Sequence, residues 1–292
     1  MRTVRAPATS ANLGSGYDVF GLALETPADL IHVERARETT ITVTGVGSSY
    51  IPEDPEANTV GAVAKALDAP AHIRIDKGVR PSSGLGSSAA SAAGAAVALD
   101  ALYDLGHTRE ELVSVAAEGE ALVSGDAHAD NVAPALLGGF TIVTEDGVTQ
   151  VDASLSLVAC LPEIIVSTRD ARGVVPESAP LAELTQTVAN AATLAVGMTR
   201  DDPHLVGNGM DDPVVTPARA ALIDGYDDVR TAALAAGATG VTVSGAGPAV
   251  LAICPADDRR PVAAAMVDAF DAAGVESRAY QTRIGDGAVL YD

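Results

Sequence analysis

The chain has 292 residues, of which 48% are hydrophobic, and it carries a formal net charge of −21 at pH 7. This length and composition predict a folded protein with one large or two ordinary domains. The negative charge argues against a nucleic-acid partner and against binding to an anionic membrane. Abundant carboxylates, few aromatic residues and two lysines beside sixteen arginines predict a cytosol of very high salt, where ions screen the self-repulsion.

The cysteines and the N-terminus give expectations about location. Cys160 and Cys254 lie far apart in apolar, strand-like segments, which is typical of buried free thiols in a reducing compartment and does not suggest a zinc site. The first ten residues contain no apolar stretch of the kind that a signal peptide needs. The weakly polar run over 89–99 is too short to span a bilayer. We therefore expect a cytoplasmic protein.

The first half of the chain predicts a mixture of strands and helices. Strands and turns dominate the opening segment, with a glycine-rich turn over 12–21. The predicted helices are 57–68, 86–105, 108–123 and 131–137. Thr108 is a candidate cap for the third of them. Strands are predicted over 71–76, directly before a loop rich in glycine and serine, and over 140–144.

From about residue 151 the pattern changes. The predicted strands are 156–162, 163–169, 240–245, 249–254 and 275–280. A mostly helical stretch covers about 180–236, and a later helix places Val262, Met266 and Phe270 on one face. The closing order of strand, turn, strand, helix and strand resembles the end of a ferredoxin-like unit. The economical interpretation is two α+β domains, 1–150 and 151–292, with a ligand cleft where they meet.

Residues 81–90, PSSGLGSSAA, are the most informative segment. Gly84 and Gly86 let backbone N–H groups approach an anion closely, and the N-terminus of the following helix adds a partial positive charge. Ser87 and Ser88 offer hydroxyls to a phosphate or to a divalent metal. The loop is not a Walker A motif, because no GK[ST] follows the glycines. A role limited to caps and turns is the alternative.

Residues 118–139, EGEALVSGDAHADNVAPALLGG, place polar groups directly ahead of an apolar segment. Glu120, His128 and Asn131 are candidates for chemistry. The alternatives are a solvent-facing helix residue for Glu120 and a turn or core histidine for His128. For Asp130 and Asn131 the alternative is a helix N-cap pair.

Further candidates lie in three other segments. Asn12 and Asp18 flank the glycine-rich turn of APATSANLGSGYDVFG (6–21), and simple turn formation is their alternative. The loop VSGAGPA (243–249) either packs against phosphates or forms a tight connection between strands. Arg172 and Arg219 stand singly, and a surface ion pair is the alternative for each.

Five segments, taken together and in order, resemble the GHMP family of small-molecule kinases: APATSANLGSGYDVFG, RPSSGLGSSAAS, EGEALVSGDAHADNVAPALLGG, STRDAR and VTVSGAGPAV. The resemblance runs nearly from end to end, and the three glycine-rich motifs are specific to the family. The HADNVAPALLGG and STRDAR segments point, within it, to members that phosphorylate L-homoserine. One departure concerns the nucleotide loop, where Pro81 stands three residues before Gly84 and Arg80 occupies the usual place of the proline. The entry to the loop is therefore expected to differ.

The resemblance implies a fold, two substrates and a set of site residues. It implies an N-terminal domain like domain 2 of ribosomal protein S5, a ferredoxin-like C-terminal domain and a homodimer. ATP and L-homoserine would be the substrates, Mg²⁺ the cofactor, and ADP and O-phospho-L-homoserine the products, in a step toward threonine. The residues implied around the ATP phosphates are Pro81, Ser82, Ser83, Gly84, Leu85, Gly86, Ser87 and Ser88. Those implied at the amino-acid site are Asn12, Asp18, His128, Arg172 and Arg219. Ser88 and Glu120 would hold the metal, and Glu120, Asn131 and His128 would serve the reaction.

The chemistry of the residues agrees with that allocation. A carboxylate such as Asp18 suits the ammonium of homoserine, and two arginines suit its carboxylate. Phosphoryl transfer asks mainly for alignment and neutralisation of charge. Some GHMP kinases place an aspartate where this chain has Asn131, and an amide cannot take a proton. The sequence therefore predicts in-line transfer helped by positioning and Mg²⁺, without a dedicated carboxylate base.

Three other interpretations are open at this point. Another GHMP kinase, acting on mevalonate or shikimate, is the first, although those substrates lack an ammonium for Asp18. A member that binds ligands without transferring a group is the second, and the pair of Ser88 and Glu120 argues against it. An acidic globule without a site is the third, and it leaves the co-occurrence of the motifs unexplained.

Overall fold

The structure, a computed structural model, describes residues 1–124 and 129–291, and its first half is built on a mixed sheet. With strands numbered along the chain, this first sheet contains β1 (Arg2–Ala11), β2 (Phe20–Arg35), β3 (Thr40–Gly45), β4 (Ala71–Lys77), β5 (Phe140–Thr144), β6 (Gly147–Val151) and β11 (Val289–Leu290). The strand order is β11-β1-β2-β4-β3, while β5 pairs with β2 and with β6. Strands β3 and β4 run parallel, and the strands predicted over 71–76 and 140–144 are confirmed.

The helices of this half are α1 (Thr59–Ala66), α2 (Ser87–Tyr103), α3 (Arg109–Ser124) and α4 (Ala129–Leu137). Each lies within a few residues of its predicted bounds. At the start of α3, Thr108 Oγ1 accepts a hydrogen bond from Glu111 N at 3.2 Å, and a Glu111 carboxylate oxygen accepts one from Thr108 N at 2.8 Å. This reciprocal pair confirms Thr108 as the cap.

Helix α2 is buried on every side along most of its length. Each residue from Ala89 to Leu99 is buried, and eight of these eleven are alanine or glycine. A Cβ on Gly94 would lie 2.5 Å from Ile31 Cγ1 on β2, so a larger residue would push the helix away from the sheet. The small residues therefore let α2 lie directly against the first sheet, which fixes the position of its N-terminus.

A second, antiparallel sheet forms the other half. It contains β7 (Ser156–Pro162), β8 (Gly240–Val243), β9 (Val250–Cys254) and β10 (Ser277–Arg283), in the order β10-β7-β9-β8. The helices of this half are α5 (Thr168–Gly173), α6 (Leu181–Thr199), α7 (Pro203–Gly209), α8 (Val215–Ala220), α9 (Tyr226–Ala235) and α10 (Arg259–Ala272). The mixed α+β architecture with two sheets confirms the predicted fold class. The chain leaves the first sheet after Val151, enters the second at Ser156 and returns to the first through β11.

The second sheet contributes to two hydrophobic clusters because its side chains alternate. Leu157, Ala159 and Leu161 of β7 join the cluster that includes α6, α7 and the first sheet. Val158 and Cys160 face the other way, into a cluster with α9 and α10. Cys160 and Cys254 are free and buried as predicted, and burial raises the pKa of each thiol to about 11.

One predicted strand is wrong. Residues 163–169 do not enter a sheet, and β7, the strand that precedes them, pairs with β9 and β10 instead. The backbone instead turns into α5, where Ser167 Oγ accepts from Asp170 N at 3.0 Å and caps the helix. The apolar run that suggested a strand divides, with Val166 buried and Ile165 79% exposed. Among the described residues, no helix is long and apolar enough to cross a membrane.

Candidate active site

A cleft of about 360 Å³ lies between the end of β1, the glycine–serine loop that precedes α2, helices α3 to α5 and the loop after β8. It brings together most of the residues that the sequence predicts. The described candidates that line it are Asn12, Asp18, Pro81, Ser82, Ser83, Gly84, Gly86, Ser87, Ser88, Glu120, Asn131, Arg172 and Arg219. His128 lies outside the described residues. Leu85 does not line the cleft, because its side chain is buried in the core.

The glycines of the loop allow close contacts that a side chain would prevent. Gly84 and Gly86 have φ values of 78° and 62°, in the left-handed region. A Cβ on Gly84 would lie 2.5 Å from the Ser244 carbonyl oxygen, and one on Gly86 would lie 1.9 Å from Thr9 Oγ1. Gly86 is also the N-cap of α2 and supplies no side-chain cap to the first-turn N–H groups. The loop therefore presents a helix N-terminus suited to an anion.

Several loop side chains serve the loop itself. Ser87 Oγ donates to the Val79 carbonyl at 2.8 Å, and Ser83 Oγ accepts from Leu85 N at 3.2 Å. The Leu85 carbonyl accepts from Thr9 N at 3.0 Å. Contacts from this segment to a phosphate would thus come mainly from backbone N–H groups and from Ser88.

The second half of the chain holds the loop from outside. Ser244 Oγ donates to the Gly84 carbonyl at 2.8 Å, and Ala249 N donates to the Ser83 carbonyl at 3.0 Å. At the loop entry, Arg80 pairs with Glu163 at 2.5 Å. The segment 243–249 therefore does more than join two strands, since it packs directly against the glycine–serine loop.

Glu120 of α3 is not the solvent-facing residue of the alternative interpretation. It is 2% exposed, and burial raises the pKa of its carboxyl group to about 7. A hydrogen bond with Ser88 partly opposes that rise, whereas the nearby charge of Asp130 adds to it. A buried carboxylate beside a hydroxyl and a second carboxylate is a set of hard oxygen donors, which suits a divalent cation such as Mg²⁺.

No cluster of three or more histidine, cysteine, aspartate or glutamate residues able to hold a metal occurs within 1–124 and 129–291. The donor set around Glu120 consists of two carboxylates and a hydroxyl. Mg²⁺ is commonly bound through one or two carboxylates together with substrate phosphates, rather than by a complete cage of protein ligands.

On the other side of the cleft, Asn12 and Asp18 hold the glycine-rich turn and also face the cavity. Asn12 Oδ1 accepts from Asp18 N at 3.0 Å, and Asn12 Nδ2 donates to the Gly245 carbonyl at 3.0 Å. The turn role of the alternative interpretation is therefore present. The Asp18 carboxylate pairs with Arg172 of α5 at 3.5 Å, and both side chains are nearly half exposed.

Arg219 of α8 is buried and links three segments of the site. Its Nη1 donates to the Gly245 carbonyl at 2.7 Å, its Nε donates to the Ala171 carbonyl of α5 at 3.3 Å, and its guanidinium lies 5.0 Å from the centre of the Tyr17 ring. Burial lowers the pKa of this guanidinium from its ordinary value. The surface ion pair of the alternative interpretation is therefore wrong for Arg219, which is buried. Arg172 does form an exposed ion pair, with Asp18.

Asn131 lies inside α4, so the N-cap alternative for Asp130 and Asn131 is wrong. Asn131 Oδ1 accepts from Thr9 Oγ1 at 2.8 Å, and its Nδ2 donates to Asp130 Oδ1 at 3.3 Å. Asp130 is buried and lines the cleft. The sequence pattern indicates only a cap at Asp130, so this carboxylate of the site was not among the predicted residues.

Lys77 and Asp29 form a buried ion pair behind the glycine–serine loop, and neither was among the predicted site residues, although Lys77 lines the cleft. A signal was present in the sequence of β4. Alternation along AHIRIDK places Ala71, Ile73, Ile75 and Lys77 on one buried face, so one of the two lysines of the chain falls at a core position.

Comparison with family models gives two matches. Residues 58–139 match the GHMP kinases N terminal domain, and residues 194–272 match the GHMP kinases C terminal domain. The two matches cover more than half of the chain. They contain the glycine–serine loop, Glu120, Asn131 and Arg219.

Known proteins are similar to this chain over its whole length. The chain is 72% identical to the homoserine kinase of Natronomonas pharaonis and 70% identical to that of Haloarcula marismortui, with 100% of each protein covered. It also matches the crystal structure of homoserine kinase from Cytophaga hutchinsonii with a TM-score of 0.91 and 35% identity, over 99% of this chain and 97% of the other.

Proposed function

The chain belongs to the GHMP kinase family, and on that premise we propose that it transfers the terminal phosphoryl group of ATP to the hydroxyl of L-homoserine. The products are O-phospho-L-homoserine and ADP, in a step of threonine biosynthesis. The full-length similarity to homoserine kinases, at 72% identity, is the observation that carries this conclusion. It favours homoserine over mevalonate and shikimate, the substrates of the alternative interpretation.

We place the ATP phosphates at the glycine–serine loop. Gly84 and Gly86 bring the backbone close to the ligand, and the N-terminus of α2 supplies N–H donors and a partial positive charge. The side chains of Ser83 and Ser87 hold the loop in shape, so that the donors are already aligned before ATP binds.

Ser88 and Glu120 are the residues that would hold Mg²⁺. The buried Glu120 carboxylate gains a positive partner, which favours its ionised form. When bound, Mg²⁺ neutralises negative charge on the phosphates. Ser88 belongs to the first turn of α2 and Glu120 to α3, and both line the cleft, so the groups that would hold the metal lie beside the proposed phosphate site.

The pair of Asp18 and Arg172 fits a zwitterionic substrate. Homoserine carries an ammonium and a carboxylate, so it can replace each partner of the pair with a charge of its own. A substrate with a carboxylate alone would leave Asp18 without a cation. Arg219 supports this side through the Ala171 carbonyl, which belongs to the same short helix as Arg172. We propose that His128 and an asparagine position the hydroxyl, and Asn131 is the asparagine to test.

Transfer is proposed to proceed by alignment, without a strong base. Asn131 lines the cleft but is held between Thr9 and Asp130 and cannot accept a proton. Because phosphoryl transfer passes through a loose transition state, positioning of the homoserine hydroxyl and stabilisation of charge are sufficient. If kinetic measurements indicate a general base, Asp130 is the carboxylate to test.

A direct assay decides the substrate. ADP release is measured with L-homoserine, mevalonate and shikimate side by side, at molar KCl and with Mg²⁺. Of the three acceptor substrates, we expect turnover only with L-homoserine. In the variant Asp18→Asn, homoserine binding should weaken more than ATP binding. Turnover with mevalonate or shikimate at a comparable kcat/KM would contradict the proposal. A homodimer and a cytoplasmic location stay predictions.

A further inference from the structure

Behind the glycine–serine loop, Lys77 of β4 and Asp29 of β2 form an ion pair with side chains 1% and 0% exposed. The other lysine of the chain, Lys65, is exposed on α1. Removing an ion pair from water carries a large desolvation cost, and the pair is tolerated only where further hydrogen bonds satisfy both charges. The contacts around Lys77 and Asp29 meet that condition, and they all lead to the loop.

These contacts join three side chains, those of Asp29, Lys77 and Ser91, to the backbone carbonyl of Ser87, and we name these four residues the collar. Lys77 Nζ donates to Asp29 Oδ2, to Ser91 Oγ at 3.0 Å and to the Ser87 carbonyl at 2.8 Å. The three donors of the ammonium are therefore all used. Ser91 Oγ also donates to Asp29 Oδ2 at 3.0 Å.

The collar ties both ends of the loop. At the start, Asp29 Oδ1 accepts from the backbone N–H groups of Gly78 at 3.0 Å and Val79 at 2.9 Å. At the end, Lys77 holds the Ser87 carbonyl, while Ser87 Oγ donates to the Val79 carbonyl at 2.8 Å. Residues 80–86 therefore span between two fixed points, the end of β4 and the first turn of α2.

We propose that Lys77 and Asp29 are positioning residues for phosphoryl transfer, because the collar fixes the first turn of α2 and Ser88 where the ATP phosphates bind. The inference rests on the proposed function, since it takes the loop to be the phosphate site. Lys77 does not need to contact ATP for this role. It acts through the Ser87 carbonyl, one residue before the proposed metal ligand Ser88.

The burial of the pair gives this device a property that surface pairs lack. Exposed charges are screened by molar salt, whereas a pair excluded from solvent is screened much less. An apolar pair of the same size would fill the space but could not orient the Ser87 carbonyl and the Gly78 and Val79 amides at once. The collar therefore keeps the loop geometry constant when the salt concentration changes.

The test compares four proteins: wild type, the double variant Lys77→Met/Asp29→Leu, the milder Ser91→Ala, and the control Lys65→Met. The double variant removes both buried charges together, so no unpaired charge is left in the core. Hydrogen exchange of the amides of residues 80–90 is measured first, without ATP. We expect faster exchange in the double variant and in Ser91→Ala, and no change in the control.

Kinetics then separate positioning from a purely structural role. We expect the folded double variant to show an ATP KM raised about tenfold or more, or an equivalent loss of kcat, because displacement of aligned groups by about 1 Å is costly. The homoserine KM should stay within about threefold of the wild-type value. The same defect should appear at low and at molar KCl.

Three results would overturn the inference. The first is a folded double variant whose hydrogen exchange and ATP kinetics match the wild type. The second is a kinetic defect of the double variant that disappears at molar KCl. The third is a double variant in which only the homoserine KM rises. If the double variant does not fold, Ser91→Ala decides, with an ATP KM raised about threefold expected and an unchanged one contradicting the collar. A wild-type protein that does not phosphorylate homoserine would contradict the proposed function instead, and the exchange comparison would still decide whether the collar holds the loop.

Discussion

The two sides of the cleft hold their charges in opposite ways. On the side proposed to bind the phosphates, Lys77 and Asp29 are fully buried and every donor of the ammonium is used within the chain. On the amino-acid side, Asp18 and Arg172 are nearly half exposed and pair at 3.5 Å. The first pair stays fixed during a reaction cycle, whereas the second can exchange its partners for those of a ligand.

This difference matches what each side has to bind. ATP presents the same phosphates in every kinase, so a rigid set of backbone donors serves it well. An amino acid is recognised by its two opposite charges, and a pair that opens to receive them rejects molecules with one charge. Rigid positioning and exchangeable recognition are therefore separated in space within one cleft.

The largest expected effect comes from Glu120→Gln, which tests the metal at the rigid side. The amide keeps the size of the side chain but loses its charge, so we expect kcat to fall about a thousandfold, because electrostatic stabilisation of the transferring group is the main catalytic contribution. Glu118→Gln, an exposed neighbour on α3, is the control and should keep wild-type turnover. Near-normal turnover of Glu120→Gln at saturating Mg²⁺ would remove Glu120 from the site.

The stability of the same variant relative to the wild type should rise with the pH, because the wild type loses stability when Glu120 ionises. Burial raises the pKa of Glu120 from 4.5 to about 7, so its ionised form is disfavoured in the folded state. The contribution of Glu120 to the free energy of unfolding is complete below the pKa that it has in the unfolded chain. This contribution is lost as the pH rises through the pKa that it has in the folded protein. Without divalent metal, Glu120→Gln should therefore exceed wild type in free energy of unfolding by up to about 3 kcal/mol near pH 8.

Denaturant unfolding in the presence of a chelator, at about pH 5 and about pH 8, measures this difference. The advantage of Glu120→Gln should be small at the lower pH and large at the higher one. An advantage that does not change with pH would show that the carboxyl does not titrate between the two conditions.

Arg172→Ala tests the exchangeable side and should have a smaller effect. We expect the homoserine KM to rise about tenfold, because a half-exposed charge contributes less than a fully desolvated one. The ATP KM should stay near the wild-type value. Arg169→Ala, an exposed arginine on the same helix, is the matched control. An unchanged homoserine KM would show that Arg172 does not bind the substrate.

The smallest expected effect belongs to Asn131→Ala, between the two sides. Asn131 joins Thr9 to Asp130, so its loss should lower kcat/KM by about threefold to tenfold through less precise alignment. Thr9→Ala should reproduce part of that loss, since it frees the same amide. No loss in Asn131→Ala would leave His128 or solvent as the contact of the homoserine hydroxyl.

The parts of the molecule that the sequence predicted are local. The glycine–serine loop, the helix after it and the cap at Thr108 follow from residues that are neighbours along the chain, where propensity and spacing decide the structure. The collar depends instead on Asp29 meeting Lys77 across 48 positions, through the pairing of β2 with β4. A pattern search cannot find a partner at that distance without the sheet register.

The errors have the same origin. Residues 163–169 contain an apolar run like that of a strand, but β7, the strand before them, already pairs on both sides. Arg219 looked like a surface arginine because its acceptors, the carbonyls of Ala171 and Gly245, are backbone groups from distant segments. The burial of Arg219 was visible only once the packing of the whole chain was known.

The carbonyl of Gly245 has a mechanical consequence. It receives hydrogen bonds from Asn12 and Arg219, while the Gly245 amide donates to the Ala11 carbonyl at 3.1 Å. Gly245 of the second half is thus hydrogen-bonded to the end of β1 in the first half and to Arg219 of α8 in the second half. Separating the two halves at this point would break the bonds to Asn12 and to Ala11 together, whereas the bond from Arg219 lies within the second half. We therefore expect ligands to enter through small local movements, without a change in the relative position of the two halves.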